Sequence, residues 1–267
     1  MRRGAVVEAV HRVHVATTDG RSWGDPELTF YLRSSSKPIQ AIPFVDGYDD
    51  LDDDEIAIAC ASHHAEPAQL AAVRKVLARA GAIVDDLENG LQPGRPEGKL
   101  GHNCSGKHAG MLAACRAHGW DLHPYRDPSH PLQQRIAELL GGGDVAIDGC
   151  GVPTFATTLA DAAALLTRAP QRIRDAMRAR PELVGGSTGA VDTELMRLRD
   201  GWIAKGGAEG LFCAAHADGR GIALKSEDGA SRAIGPALAH VLELDELAET
   251  PITNSRGELV GAITLAP

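Results

Sequence analysis

The chain has 267 residues, a formal net charge of −9, 43% hydrophobic residues and only 4% aromatic ones. That length is enough for a large core in one domain or two closely joined lobes, resting on Ala, Leu, Val and Ile rather than on rings. The acidic balance, with no basic cluster, argues against nucleic acid or anionic membranes as partners, and no apolar run approaches the ~18 residues that span a bilayer.

The chain opens with strand signals. Residues 5–10 and 12–16 alternate with a partial period of two, and Thr18-Asp19-Gly20 marks a turn. Glu8, His11 and His14 interrupt any signal-peptide core. The five cysteines are an odd number that suits free thiols in a reducing compartment. Both features point to a cytoplasmic protein, with Cys60, Cys115 and Cys213 as small buried hydrophobes. Residues 28–32 form another strand candidate, and the pattern then turns helical from Ser34 to about Leu198. Pro67 to Ala80 carries Leu70, Val73, Val76 and Leu77 on one stripe, with Gly81 at the stop. Pro131 to Leu140 repeats the style before Gly141, and residues 154–167, 171–179 and 193–198 predict further helices. Strands return after Gly201: residues 202–205, then a hairpin of residues 211–216 and 222–225 around Asp218-Gly219-Arg220-Gly221. A helix over 233–244 and a strand over 259–265 follow. Strands at both ends with helices between predict an α+β fold. Its antiparallel sheet would come from both termini, packed by helices, with a helical insertion. We expect one catalytic domain over 1–267, with a sheet lobe from about 1–33 and 200–267 and a mainly helical lobe from about 34–199.

Five segments carry chemistry. Ser34 and Lys37 in Arg33-Ser34-Ser35-Ser36-Lys37-Pro38 have Ser-x-x-Lys spacing at a strand-to-helix junction. A neutral lysine one turn away can take the proton of an otherwise weak nucleophile; the plainer alternative is a serine N-cap before an exposed lysine. Cys60-Ala61-Ser62-His63-His64-Ala65-Glu66 follows an apolar stretch and offers either ligand contacts or N-cap punctuation by Ser62 and Glu66. His102-Asn103-Cys104-Ser105-Gly106-Lys107-His108 gathers thiol, amine and imidazole before a helix, with Ser105 as expected N-cap and Gly119 as the stop. With Cys150 of Asp148-Gly149-Cys150-Gly151-Val152-Pro153, Cys104 offers two thiolates for Zn²⁺, completed by Lys107 or His108 and a water, or simply a pair of free cysteines. Asp148 is a candidate for a substrate ammonium. Lys205-Gly206-Gly207-Ala208-Glu209-Gly210 ends a strand where a substrate can approach closely, in the manner of a Lys-Thr-Gly element, or is merely a Gly-rich turn.

These segments occur in the order found in one family. The chain resembles the asparaginases of the Rhizobium etli type, the asparaginase II family, from about Val7 to Gly261, and the Cys104 segment is the most specific match. The resemblance implies hydrolysis of L-asparagine to L-aspartate and ammonia, a fold similar to serine β-lactamases, penicillin-binding proteins and glutaminases, and a homodimer. It implies two serine–lysine pairs, Ser34 with Lys37 and Ser62 with Lys205, where Lys225 is the alternative lysine. It also implies a zinc site on Cys104, Lys107 and Cys150. Arg33, His63, Asn103, His108 and Asp148 become expected substrate contacts, and Ser34 the expected nucleophile. A glutaminase-like amide hydrolase, a penicillin-interacting serine enzyme and a non-enzymatic zinc or thiol sensor are the competing readings. The stretch between Glu88 and His102 is shorter than the family pattern.

Overall fold

Strand-forming stretches from the two ends of the chain pair with one another in the computed structural model, which describes residues 1–266. Strands β1 (Arg2–Arg3), β2 (Val6–Val7), β3 (Val13–Thr17), β4 (Ser22–Trp23) and β5 (Thr29–Tyr31) come first. Strands β6 (Val145–Ile147) and β7 (Pro153–Thr158) lie in the middle of the chain. Strands β8 (Trp202–Gly207), β9 (Leu211–His216), β10 (Gly221–Ser226), β11 (Glu249–Thr253) and β12 (Leu259–Thr264) follow. The central sheet has the order β4-β3-β10-β9-β8 and is antiparallel throughout. Its β3–β10 register runs from Thr17 opposite Ile222 to Val13 opposite Ser226. The hairpin joining β9 to β10 closes where Asp218-Gly219 predicts, with His216 N–H donating to Arg220 O.

The expected α+β character holds, with two differences in detail. Strands from the two ends form two sheets rather than one, since β11-β12-β1-β2 make a separate four-stranded sheet. The middle of the chain is not wholly helical, because β5, β7 and β6 form a third sheet. The helix expected from Thr154 is therefore a strand up to Thr158, followed by a short helix, Leu159–Ala163. Thr154, Phe155, Thr157 and Thr158 favour extended backbone, and β7 is paired on both sides, by Thr29–Tyr31 and Val145–Ile147. Thr158 then caps the helix through Asp161 N–H.

The helices with clear punctuation form as read. Pro67–Ala80 and Pro131–Leu140 each begin at proline and stop at a left-handed glycine, Gly81 (φ 61°) and Gly141 (φ 89°). The helix Ser105–His118 packs against Pro67–Ala80 and Asp53–Ala59. Gly106 makes the second approach possible, since a Cβ there would lie 2.2 Å from Ile58 O. Its N-cap is Cys104 rather than Ser105. The Ser105 hydroxyl instead donates to Leu100 O at 2.8 Å and meets His63 Nε2 at 2.7 Å. Glu66, not Ser62, caps Pro67–Ala80. All five cysteines are buried and free. Among the described residues no helix is long and apolar enough to cross a membrane.

Candidate active site

A polar hollow of about 440 Å³ forms where β8, the helix Val191–Leu198 and the segments before the Pro67–Ala80 and Ser105–His118 helices converge. Ser34, Ser62, His63, Asn103, Asp192 and Lys205 line it, together with Gln92 and Arg95. Five of the expected residues, Ser34, Ser62, His63, Asn103 and Lys205, therefore meet in one place although their segments lie far apart in the chain.

Ser34 enters on a 3₁₀ turn, Arg33–Ser36, which runs straight into the short helix Lys37–Gln40. Arg33 has a left-handed φ of 47°, an uncommon conformation for a non-glycine residue that re-aims the chain just before the serine. Lys37 is wholly buried. Its amine donates to Ser62 Oγ at 3.0 Å and to the backbone oxygens of Ala61 and, at 3.5 Å, Asn103. The hydroxyl that touches Lys37 is thus Ser62, not Ser34 as the Ser-x-x-Lys spacing suggests. The stem carries the amine across to the end of the Asp53–Ala59 helix. Burial, with Lys205 and Lys107 nearby, pushes the Lys37 amine down to about 8, against the opposing pull of Cys104.

Lys205 leaves β8 fully buried and donates to Gly206 O at 2.8 Å. It forms an ion pair with Asp192 Oδ2 at 3.4 Å rather than a bond to Ser62. Lys225 does not line the hollow; its amine is held by Glu209 O and Ser226 O, each at 2.6 Å.

His63 is buried, and its Nδ1 accepts the Ala65 N–H at 3.1 Å. Its proton therefore rides on Nε2, which donates to Ser105 Oγ. Burial, helped by Lys37, drops this imidazole to about 3, so it is neutral. The structure sets three expected contacts apart from the lining of the hollow. Arg33 Nε donates to Asp148 Oδ1 at 2.6 Å, and the same oxygen takes the Gly149 N–H at 2.7 Å. That carboxylate is already engaged inside the protein. His108 is fully buried with Nδ1 at 2.7 Å from the Tyr125 hydroxyl. The Tyr125 hydroxyl also accepts the Glu88 N–H at 2.7 Å, and His108 Nε2 has no hydrogen-bond partner.

Behind Asn103, Lys107 Nζ lies 3.0 Å from Cys150 Sγ. A hydrogen bond from Cys150 draws the Cys104 thiol well below its ordinary range, against burial and with help from Lys37 and Lys107. Among the described residues no group of three or more His, Cys, Asp or Glu side chains is arranged to hold a metal. The two sulfurs and one amine are a different donor set. One ionisable soft sulfur, a second sulfur and an amine together suit a zinc-like ion with one position left open.

Asp192 and Arg95 escape a reading of the sequence. Asp192 sits one residue into a helix, where a carboxylate is ordinary first-turn chemistry. Arg95 sits among Pro93, Gly94 and Pro96, and its guanidinium reaches His64 O. Neither has a spacing that ties it to a serine or lysine.

The α+β fold and a concave hollow of hydroxyls, amines and a carboxylate have the make-up of an enzyme that acts on a small polar molecule. The chain belongs to the L-asparaginase II family, whose model matches residues 1–265, and the enzyme is an L-asparaginase. No curated protein matches the chain significantly.

Proposed function

We propose that L-asparagine is hydrolysed to L-aspartate and ammonia in this hollow by serine–lysine nucleophilic catalysis. The observation that carries the reading is the hydrogen bond between the buried Lys37 amine and Ser62 Oγ. A base must touch the hydroxyl it activates and must be neutral near the working pH. Lys37 touches Ser62 Oγ, and burial brings its amine down to about 8, within reach of the neutral form. In the first step the serine O–H proton passes to Lys37 as the oxygen adds to the side-chain carbonyl carbon. The tetrahedral oxyanion is held by backbone N–H groups at the nearby helix start. The C–N bond then breaks, ammonia leaves with a proton from an ammonium group, and water hydrolyses the aspartyl ester.

Ser62 is the hydroxyl in contact with the base. A second reading has Ser34 attack, with Ser62 relaying its proton to Lys37. Its support is the left-handed turn at Arg33, which presents Ser34 to the hollow. Replacing Lys37 by alanine should abolish turnover in either case, by about 10²–10⁴-fold. Mass spectrometry of variants incubated with asparagine, with glutamine as comparator, assigns the nucleophile. The serine whose replacement by alanine prevents an aspartyl adduct is the attacking one. Full turnover in both serine variants rejects the mechanism.

Cys104, Lys107 and Cys150 would hold a zinc ion, which would contribute positive charge beside the Asn103 edge of the hollow. The chain's own residues there fix the backbone of Asn103, whose carbonyl receives the Lys37 amine. We also propose a serine β-lactamase-like arrangement of the fold, a cytoplasmic setting and a homodimer. Supporting the last are the solvent-facing valines of β2 and Leu259 of β12.

A further inference from the structure

The Lys205 amine has a built support that nothing in its motif announces. We infer that Asp192 is the positioning residue for Lys205: its carboxylate, locked by two backbone N–H groups, holds that amine at the hollow containing Ser34 and Ser62. The inference rests on the serine–lysine reading above.

Both side chains of the pair are buried, Lys205 at 1% and Asp192 at 8% exposure. A buried ammonium persists only with a counter-charge and satisfied donors. Asp192 is the carboxylate that meets it. Asp192 Oδ2 takes both Lys205 Nζ, at 3.4 Å, and the Gly206 N–H, at 3.2 Å, while Oδ1 takes the Thr193 N–H at 3.1 Å. The carboxylate is thereby pinned from β8 and from its own helix at once. Room for it comes from Gly185, where a Cβ would lie 2.3 Å from Oδ1. Of the three donors on an ammonium, one goes to Gly206 O and one to Asp192. The third remains for the hollow, whose lining includes Lys205. There it can be transferred to the amide nitrogen as the C–N bond breaks, and it is regained from the water that hydrolyses the ester. Lys37 is the contrast: the same residue type, equally buried, bonded only to a hydroxyl and two carbonyl oxygens. The pairing divides the work, with one lysine held as an acid and the other free to act as a base.

The titratable groups around the Lys205 amine are Asp192, Lys37 and the thiols of Cys60 and Cys213. The two thiols are pushed up to about 12 by burial, which leaves Asp192 as its anionic neighbour. Removing that anion leaves the amine without the partner that fixes its position, so turnover falls while substrate binding is kept. The test uses the full-length enzyme with Asp192→Asn, Asp192→Glu, Gly185→Ala and Lys205→Ala, and the Asp192→Asn/Lys205→Ala double variant. We expect Asp192→Asn to lower kcat about 10²-fold, with little change in KM. Asp192→Glu should recover part of the rate. Gly185→Ala, which displaces the carboxylate without removing it, should lower kcat in the same direction. In the Lys205→Ala background the Asp192→Asn loss should vanish. If Asp192→Asn keeps its kcat while Lys205→Ala loses turnover, the positioning role is wrong. It is equally wrong if the Asp192→Asn loss persists undiminished without Lys205. Native turnover in Lys205→Ala instead sinks the parent reading of the site.

Discussion

At the scale of single residues, function turns on the company each buried amine keeps. Lys37 has no carboxylate beside it, and burial brings it down to about 8. A general base works when unprotonated, so kcat/KM should rise with pH as Lys37 loses its proton and level off above about 8. A pH–rate profile on asparagine checks this, and an acidic limb that ends below pH 6 would remove Lys37 from the base role. The thiol pair allows a second measurement. If Cys104, Lys107 and Cys150 hold zinc, the purified protein carries about one metal ion per chain and Cys104→Ser carries almost none. Equal zinc content in both, by atomic emission, excludes that donor set. Much of this site is legible in the sequence. Ser34, Ser62, Asn103 and Lys205 stand out by their motifs, and they share one hollow. What stays hidden is pairing. Spacing joins Ser34 to Lys37 along the chain, yet a long flexible stem lets the amine choose a partner across space. Asp192 gives no signal because an acidic residue in a first helical turn has a commonplace explanation.

At the scale of elements, the helices that read clearly are those with proline starts and glycine stops. Pro67–Ala80 and Pro131–Leu140 begin and end where those residues fall. Strand β7 misleads because the leucine and alanines of the helix that follows it run on directly from the threonines, and its two partner strands decide the matter. Within Ser105–His118, Gly106 brings the helix against Ile58: a methyl group on its Cα would stand 2.9 Å from Ile58 Cγ1 and 2.2 Å from Ile58 O. Gly106→Ala should therefore force two helices apart. We expect a loss of about 1–3 kcal/mol in urea unfolding, although alanine is intrinsically the better helix former. A more stable variant would mean that helix propensity outweighs the contact.

At the scale of the whole molecule, the central sheet is buried while the β11-β12-β1-β2 sheet turns apolar side chains outward. Val6 and Val7 are 66% and 51% exposed, and Leu259 is 66% exposed. β2 is also an edge strand of its sheet, and an exposed apolar edge is a ready pairing surface. Light scattering on the eluting protein should give about twice the chain mass of 28.1 kDa, and Val6→Asp should yield the monomer. A native monomer would assign those valines another role. The gathering of strands from both ends is legible, because extended segments flank a helical middle. Their division into two sheets is not, since alternation reports a strand but not its neighbour.

The register that zips Val13–Thr17 onto Gly221–Ser226 has a consequence for how the enzyme comes into being. A chain still emerging from the ribosome can complete the early helices and present Ser34, Lys37 and Ser62 well before Lys205 has been translated. The central sheet can therefore close only once residues 221–226 have been synthesised, and a polypeptide released ahead of them would lack the strand that joins the two ends of the chain.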